Sequence, residues 1–131
     1  MKSKSDIRSG SENKFLILGS DSFIDEKLSF TLEPLKDLDV DKRTFFGDEF
    51  NQEDFLDFIN TLPLFCDVKI SVIKNASKIK NFSSLLRYIR NSESIIVVCE
   101  NKTDFLSKDT EASFFTVLSE TKKTASTIYS E

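Results

Sequence analysis

The chain has 131 residues, enough for about one domain with its own apolar core. It is 39% hydrophobic and 31% charged, with a net charge of −4, thirteen Phe, no Trp and no His. That balance excludes wholesale disorder, and only 3 Gly and 2 Pro exclude collagen-like and linker-like chains.

Residues 1–13 are polar and charged, with no apolar signal-peptide core. They read as a flexible tail ahead of a domain over 14–131. Phe15–Leu18 is a short continuous apolar run closed by Gly19, the pattern of a buried strand. Asp21 or Ser22 is placed to cap the next helix, whose apolar positions Ile24, Leu28, Leu32 and Leu35 recur at helical spacing. Pro34 predicts its end or a kink. Thr44–Phe46 reads as a second strand, ending at Gly47. Phe55, Phe58, Ile59 and Leu62 form the apolar face of a second helix running toward Pro63. Val68, Ile70, Val72 and Ile73 predict a third strand, and Phe82, Leu85, Leu86 and Ile89 a third helix. Ile95–Cys99 is the fourth strand. Phe114, Phe115, Val117 and Leu118 predict a fourth helix begun near Ser107 or Asp109, and the alternating, β-branched Thr124–Tyr129 a fifth strand.

Strands alternating with helices imply a parallel sheet with helices on both faces, an α/β three-layer sandwich. Ligands of such sheets bind at the C-terminal ends of the strands. The apolar runs are far too short to span a bilayer, so the chain is expected to be cytoplasmic, without membrane contact. Cys66 and Cys99, without any His, cannot complete an ordinary zinc site, and they read as reduced thiols. No metal or other cofactor is expected. The nearest thing to a phosphate-binding cluster is Lys69, Lys74, Lys78 and Lys80, which reads more simply as a solvated face at a strand end.

A phosphate loop belongs in the first strand-to-helix turn and needs G-x-x-x-x-G-K-[ST]. The turn here is Gly19-Ser20-Asp21-Ser22-Phe23-Ile24-Asp25-Glu26-Lys27, with one Gly, no Gly-Lys pair and three acids. Two like charges about 4 Å apart cost about 4 kcal/mol at an effective dielectric near 20, so these acids oppose a polyphosphate. They also suit a helix N-terminus without any ligand. The third strand, which should end in a magnesium-holding acid, ends in Ile73-Lys74-Asn75-Ala76. A phospho-accepting receiver domain would also need an Asp there. No G-x-S-x-G elbow and no His support a hydrolase triad, and no spacing singles out an acid–base pair.

Four stretches, in order, resemble one family. They are Gly19-Ser20-Asp21-Ser22-Phe23 with Glu26 beyond it; Leu62-Pro63-Leu64-Phe65 at the end of a helix; Val72-Ile-Lys-Asn-Ala-Ser-Lys-Ile79; and Ile95–Cys99 followed by Asn101-Lys102. The third looks like the D-E-A-D box of AAA+ ATPases with its acids replaced. Together the four resemble the N-terminal domain of the delta subunit of bacterial DNA polymerase III, the clamp-loader wrench, over roughly residues 14–118. The resemblance implies an AAA+/RecA-like domain with a degenerate nucleotide site at Gly19, Asp21, Lys74 and Asn75. It implies a non-catalytic role in DNA replication: binding the ring-shaped sliding clamp, the beta subunit, and helping to open it. Clamp contact falls on Leu64 and Phe65, helped by Leu62. Asn60 stands where clamp-binding peptides often carry Gln, one methylene longer. ATP hydrolysis belongs to the tau/gamma subunits; these and delta prime are the implied partners in the loader, with DNA contacted only indirectly. The family's lid and collar domains are missing from this sequence, which is expected to be an isolated or truncated domain.

By residue chemistry alone, Leu64 and Phe65 fit the domain's own core. Placed just after a Pro, the pair can also leave the helix axis and point outward, as the resemblance implies. The reading from a different class is a diverged P-loop nucleotide-binding enzyme domain, and a third is an inactive receiver-like domain. A strand order of 5-1-4-3-2, with strand 4 between strands 1 and 3, would exclude the receiver.

Overall fold

A computed structural model describes residues 13–120. Five strands form one all-parallel sheet: β1 (Lys14–Leu18), β2 (Val40–Phe46), β3 (Val68–Lys74), β4 (Ile95–Glu100) and β5 (Thr116–Ser119). Their order across the sheet is β2-β3-β4-β1-β5. β4 therefore pairs with both β1 and β3 and keeps them apart, which excludes the receiver arrangement. The helices are α1 (Asp21–Leu32), α2 (Gln52–Asn60) and α3 (Leu86–Asn91).

The alternation of side chains along each strand sorts the core into two halves. Ile17, Val68, Ile70, Val72, Ile95, Val97 and Cys99 face α1 and the turn that follows it: Ile24 of the helix and Leu35 beyond its end are buried against them, and Leu28 and Leu32 partly so. Leu16, Leu18, Ile73, Ile96 and Val98 face the other way, onto Phe55, Phe58 and Ile59 of α2, Leu86 and Ile89 of α3, and the turn carrying Ala112 and Phe115. The three layers expected from the alternation are present. β3 and β4 have no sheet edge in water, and their apolar runs are buried throughout. β2 lies at an edge, where Asp41, Lys42 and Arg43 are exposed and blunt it against pairing with another chain.

Local chemistry sets the boundaries. Ser20, rather than Asp21 or Ser22, caps α1: its hydroxyl accepts from the Phe23 amide at 3.3 Å. α1 ends at Leu32, and Pro34 lies in the 3-10 turn Glu33–Leu35 that follows. Asn51 caps α2 by accepting from the Asp54 amide at 3.0 Å. Asn75 and Asn81 adopt left-handed backbone at φ 58° and 55°, where Asn is among the least strained non-glycine residues. Gly47 meets the Asn75 turn so closely that a Cβ would overlap the Asn75 carbonyl.

Several expectations change. α2 ends at Asn60, so Leu62 lies beyond the helix whose apolar face it was expected to extend, and β2 begins at Val40 rather than Thr44. The fourth helix predicted from Phe114 to Leu118 is absent. Residues 103–115 run as turns with a 3-10 segment at Thr110–Ala112, and Val117 and Leu118 lie in β5 beside β1. Helix-like spacing of apolar pairs is outweighed there by the free edge of β1, which a four-residue strand satisfies. The third helix is partly 3-10, over Phe82–Leu85, before α3 begins. The fifth strand predicted at Thr124–Tyr129 lies outside the described residues, as do residues 1–12 of the expected tail. Asn13 is buried, its amide donating to the Glu93 carbonyl at 3.1 Å.

Candidate functional site

The sequence singled out two regions, and the topology places them at opposite ends of the sheet. Gly19, Asp21, Lys74 and Asn75 gather at the C-terminal ends of β1 and β3. The connection from α2 to β3, which carries Asn60, Leu62, Leu64 and Phe65, lies at the N-terminal end.

At the C-terminal end a polar cleft of about 320 Å³ is lined by Asp21, Ile24, Asp25, Lys74, Asn75, Cys99, Glu100 and Asn101. It lies at the usual ligand position of an open α/β sheet, and its polar groups are largely engaged with one another. The Asn101 amide donates to the Gly19 carbonyl at 2.9 Å and to the Asp21 carboxylate at 3.0 Å. Lys74 Nζ lies 3.9 Å from Asp25 Oδ1 across the mouth, an exposed ion pair of small energetic weight. Glu100 is buried, with one carboxylate oxygen accepting from the Ser77 amide at 2.8 Å and the other from the Lys102 amide at 3.0 Å. The Cys99 thiol opens onto the cleft from the sheet, and burial pushes it up to about 12 despite the opposing Lys74 charge.

The first turn is occupied from within. Glu120, just past β5, accepts from the Ser20 amide at 2.8 Å, and its own amide donates to the Leu18 carbonyl at 2.8 Å. A carboxylate thus holds a backbone N–H at the head of α1, in the kind of position where a phosphate-binding turn would present its donors. Gly19 is pressed between Phe23 and Glu120: a Cβ there would lie 2.6 Å from the Phe23 ring and 2.7 Å from Glu120 Cβ. Sequence reasoning missed Glu100 and Glu120. A charge after a run of apolar residues signals a strand exit into water, and the amides of Ser77 on Glu100 and of Ser20 on Glu120 come from distant parts of the chain. Among the described residues, no cluster of three or more His, Cys, Asp or Glu is arranged to hold a metal.

The other end has the opposite character. Leu62 is 72% exposed, Leu64 77% and Phe65 93%. Three large apolar side chains within four positions stand in solvent. They are therefore not part of the domain's core, where residue chemistry alone would place them. Asn60 is the last residue of α2 and is exposed. The base of this projection is tied down. Thr61 Oγ1 donates to the Asp57 carbonyl at 2.7 Å, Ser92 Oγ to the Ile59 carbonyl at 3.2 Å, and Lys69 Nζ to the Thr61 carbonyl at 3.1 Å. On the far side the Asp67 amide donates to the Asp39 carbonyl at 2.7 Å, and the Asp39 amide to the Asp67 carboxylate at 2.9 Å.

The likeness to known proteins lies in the fold. The sheet is similar to that of a DNA clamp loader delta protein. The match is to the Bacillus subtilis DNA clamp loader delta protein (YqeN), with a TM-score of 0.62 and 16% sequence identity, and it covers 82% of this chain. The chain spans 38% of the solved YqeN chain. No family model matches the sequence, and no curated protein matches it. At this identity the YqeN likeness is one of architecture: a five-stranded, all-parallel α/β sheet with helices on both faces.

The lysines expected to form a solvated face divide between environments. Lys78 and Lys80 are exposed and Lys74 is half-buried, but Lys69 is only 7% exposed, with its ammonium 4.1 Å from the centre of the Phe58 ring. Among the described residues, no helix is long and apolar enough to cross a membrane.

Proposed function

We propose that this chain is a non-catalytic, clamp-loader delta-type domain that docks on a sliding clamp through Leu64 and Phe65, with Leu62 and Asn60 beside them. The observation that carries the reading is the solvent-exposed Leu62, Leu64 and Phe65 projection on a YqeN-like fold. Exposed apolar groups clustered above a polar surface mark interaction sites. Burying a Leu and a Phe in a partner's pocket contributes roughly 1.5–3 kcal/mol each. That suffices for an anchor, since association itself costs several kcal/mol. Asn60, shorter than Gln by one methylene, makes a weaker polar contact in this scheme.

The cleft supports the same reading. Glu120 on the Ser20 amide, Asn101 across the first turn and Lys74 where a metal-holding acid is needed all disfavour ATP and magnesium. In this proposal the domain helps open the ring while tau/gamma subunits hydrolyse ATP, and delta prime and DNA are met within the assembled loader. The test is binding of the chain to the sliding clamp of its own organism, measured by calorimetry beside a Leu64→Ala/Phe65→Ala variant. Wild-type binding lost in the variant is the expected result; equal binding by both refutes the hook. The cleft's volume favours one other reading, a diverged P-loop enzyme. Micromolar binding of ATP with magnesium to the wild-type chain would favour it instead.

A further inference from the structure

The apolar projection leaves a helix end that is held by a buried cation. The last carbonyls of a helix have no partners within it. At the end of α2 they are met from outside: Asp57 by the Thr61 hydroxyl, Ile59 by Ser92 Oγ at 3.2 Å and Ser94 Oγ at 3.4 Å. Two residues further toward the tip, the Thr61 carbonyl accepts from Lys69 Nζ. Thr61 itself is extended, at φ −93° and ψ 128°, so the direction in which the chain departs is set at this residue.

Lys69 is an unusual choice for the place. It is the second residue of β3, on the side facing α2, in the half of the core that holds Ile73 and Phe58. Burying an ammonium is costly unless its charge is met. It is met by the face of the Phe58 ring, the Thr61 carbonyl and the negative end of α2. Phe58 is fixed in turn by Phe45, 6.0 Å away between ring centres, and by the Arg43 guanidinium at 5.8 Å. A second buried lysine supports the same root. Lys14 Nζ donates to Asn13 Oδ1 at 2.7 Å and to the carbonyls of Ser92 and Ser94 at 2.8 and 3.0 Å. It thereby fixes the turn whose hydroxyls hold Ile59.

We propose that Lys69 is the positioning residue of the projection: its ammonium holds the Thr61 carbonyl, so that Leu62, Leu64 and Phe65 are presented from a fixed root. The inference rests on the docking reading above. A surface ordered before contact loses less freedom on binding, and removing that order weakens binding without touching a contact atom.

The test compares the wild-type chain with Lys69→Met, which keeps the buried stem and removes the donor and charge, and with Lys69→Arg, which restores both. Backbone hydrogen exchange is read first, without a partner. Lys69→Met should speed exchange of the hydrogen-bonded amides of the root, those of the last turn of α2 and of Asp67, by about tenfold relative to those of α1, with Lys69→Arg near wild type. Clamp binding is read second, and Lys69→Met should weaken it by about three- to tenfold, again with recovery in Lys69→Arg. Unchanged exchange in Lys69→Met overturns the proposal, and so does faster exchange with unchanged clamp affinity. Should Lys69→Met not fold, Lys69→Gln carries the same comparison. If the wild-type chain does not bind the clamp, the docking reading falls, and the exchange measurement still decides whether Lys69 orders the root.

Discussion

Phe58 and Phe65 are the same residue type in one helix-and-loop unit, and their removal should have opposite consequences. Phe65 is 93% exposed, so folding buries less than a tenth of it; Phe65→Ala should cost only about 0.2 kcal/mol. Leu64, at 77% exposure, buries about a quarter of its surface and should cost about 0.5 kcal/mol. Phe58 is 9% exposed, packs on Phe45 and lies beneath the Lys69 ammonium. Its replacement by Ala leaves a cavity and an unmet cation, so about 3–5 kcal/mol is expected. For a domain of this size 1 kcal/mol moves the melting temperature by roughly 4 °C. Phe58→Ala should therefore fall by about 12–20 °C and Phe65→Ala by about 1 °C or less. Circular dichroism melts and urea titrations of the variants measure both. A loss above about 1.5 kcal/mol in Phe65→Ala or Leu64→Ala would show that these side chains pack within the domain, and the docking argument would lose its main support.

Two further outcomes follow from the buried titratable groups. Burial pulls Lys14 down to about 8, against the opposing pull of Glu93, from an ordinary value near 10.5. The unfolded chain then holds more protons than the folded one between about pH 8 and 10.5, so this group's contribution to stability rises with pH across that window, by about 3 kcal/mol in all. Subtracting the stability–pH curve of Lys14→Met from that of wild type should show the rise, and a flat difference would refute it. Cys99 is 1% exposed with its thiol raised to about 12, whereas Cys66 is half-buried. A thiol reagent should modify Cys66 in the native chain and Cys99 only on unfolding; equal rates for both would contradict the burial.

The parts of the fold legible in the sequence were those in which one segment carries its own signal. Ile95–Cys99 is apolar at every position because β4 has a neighbour on each side and a packed layer on each face. α1 and α2 declare themselves by apolar spacing, since each buries one side only. The start of β2 was missed because Asp41, Lys42 and Arg43 lie on an open edge, where charge protects against pairing and masks the strand. β5 was read as helix because its four residues owe their conformation to β1, far away in the chain. The same division holds for the sites. Lys74-Asn75 and the acidic first turn could be read directly against the chemistry of phosphate and magnesium. The burial of Lys69, the hold of Glu120 on Ser20 and the Ser77 amide on Glu100 each depend on a partner brought from another element.

The polar cleft and the apolar projection terminate the same strand. β3 runs from Val68, just after the projection, to Lys74 at the cleft, a span of roughly 20 Å at about 3.3 Å per residue. Substitutions that far apart and without shared partners add independently in free energy. For a lineage carrying this sheet, the two ends are separate heritable traits. Residues at the cleft can change, down to the carboxylate on its first turn, without altering the free energy of contacts made at the projection.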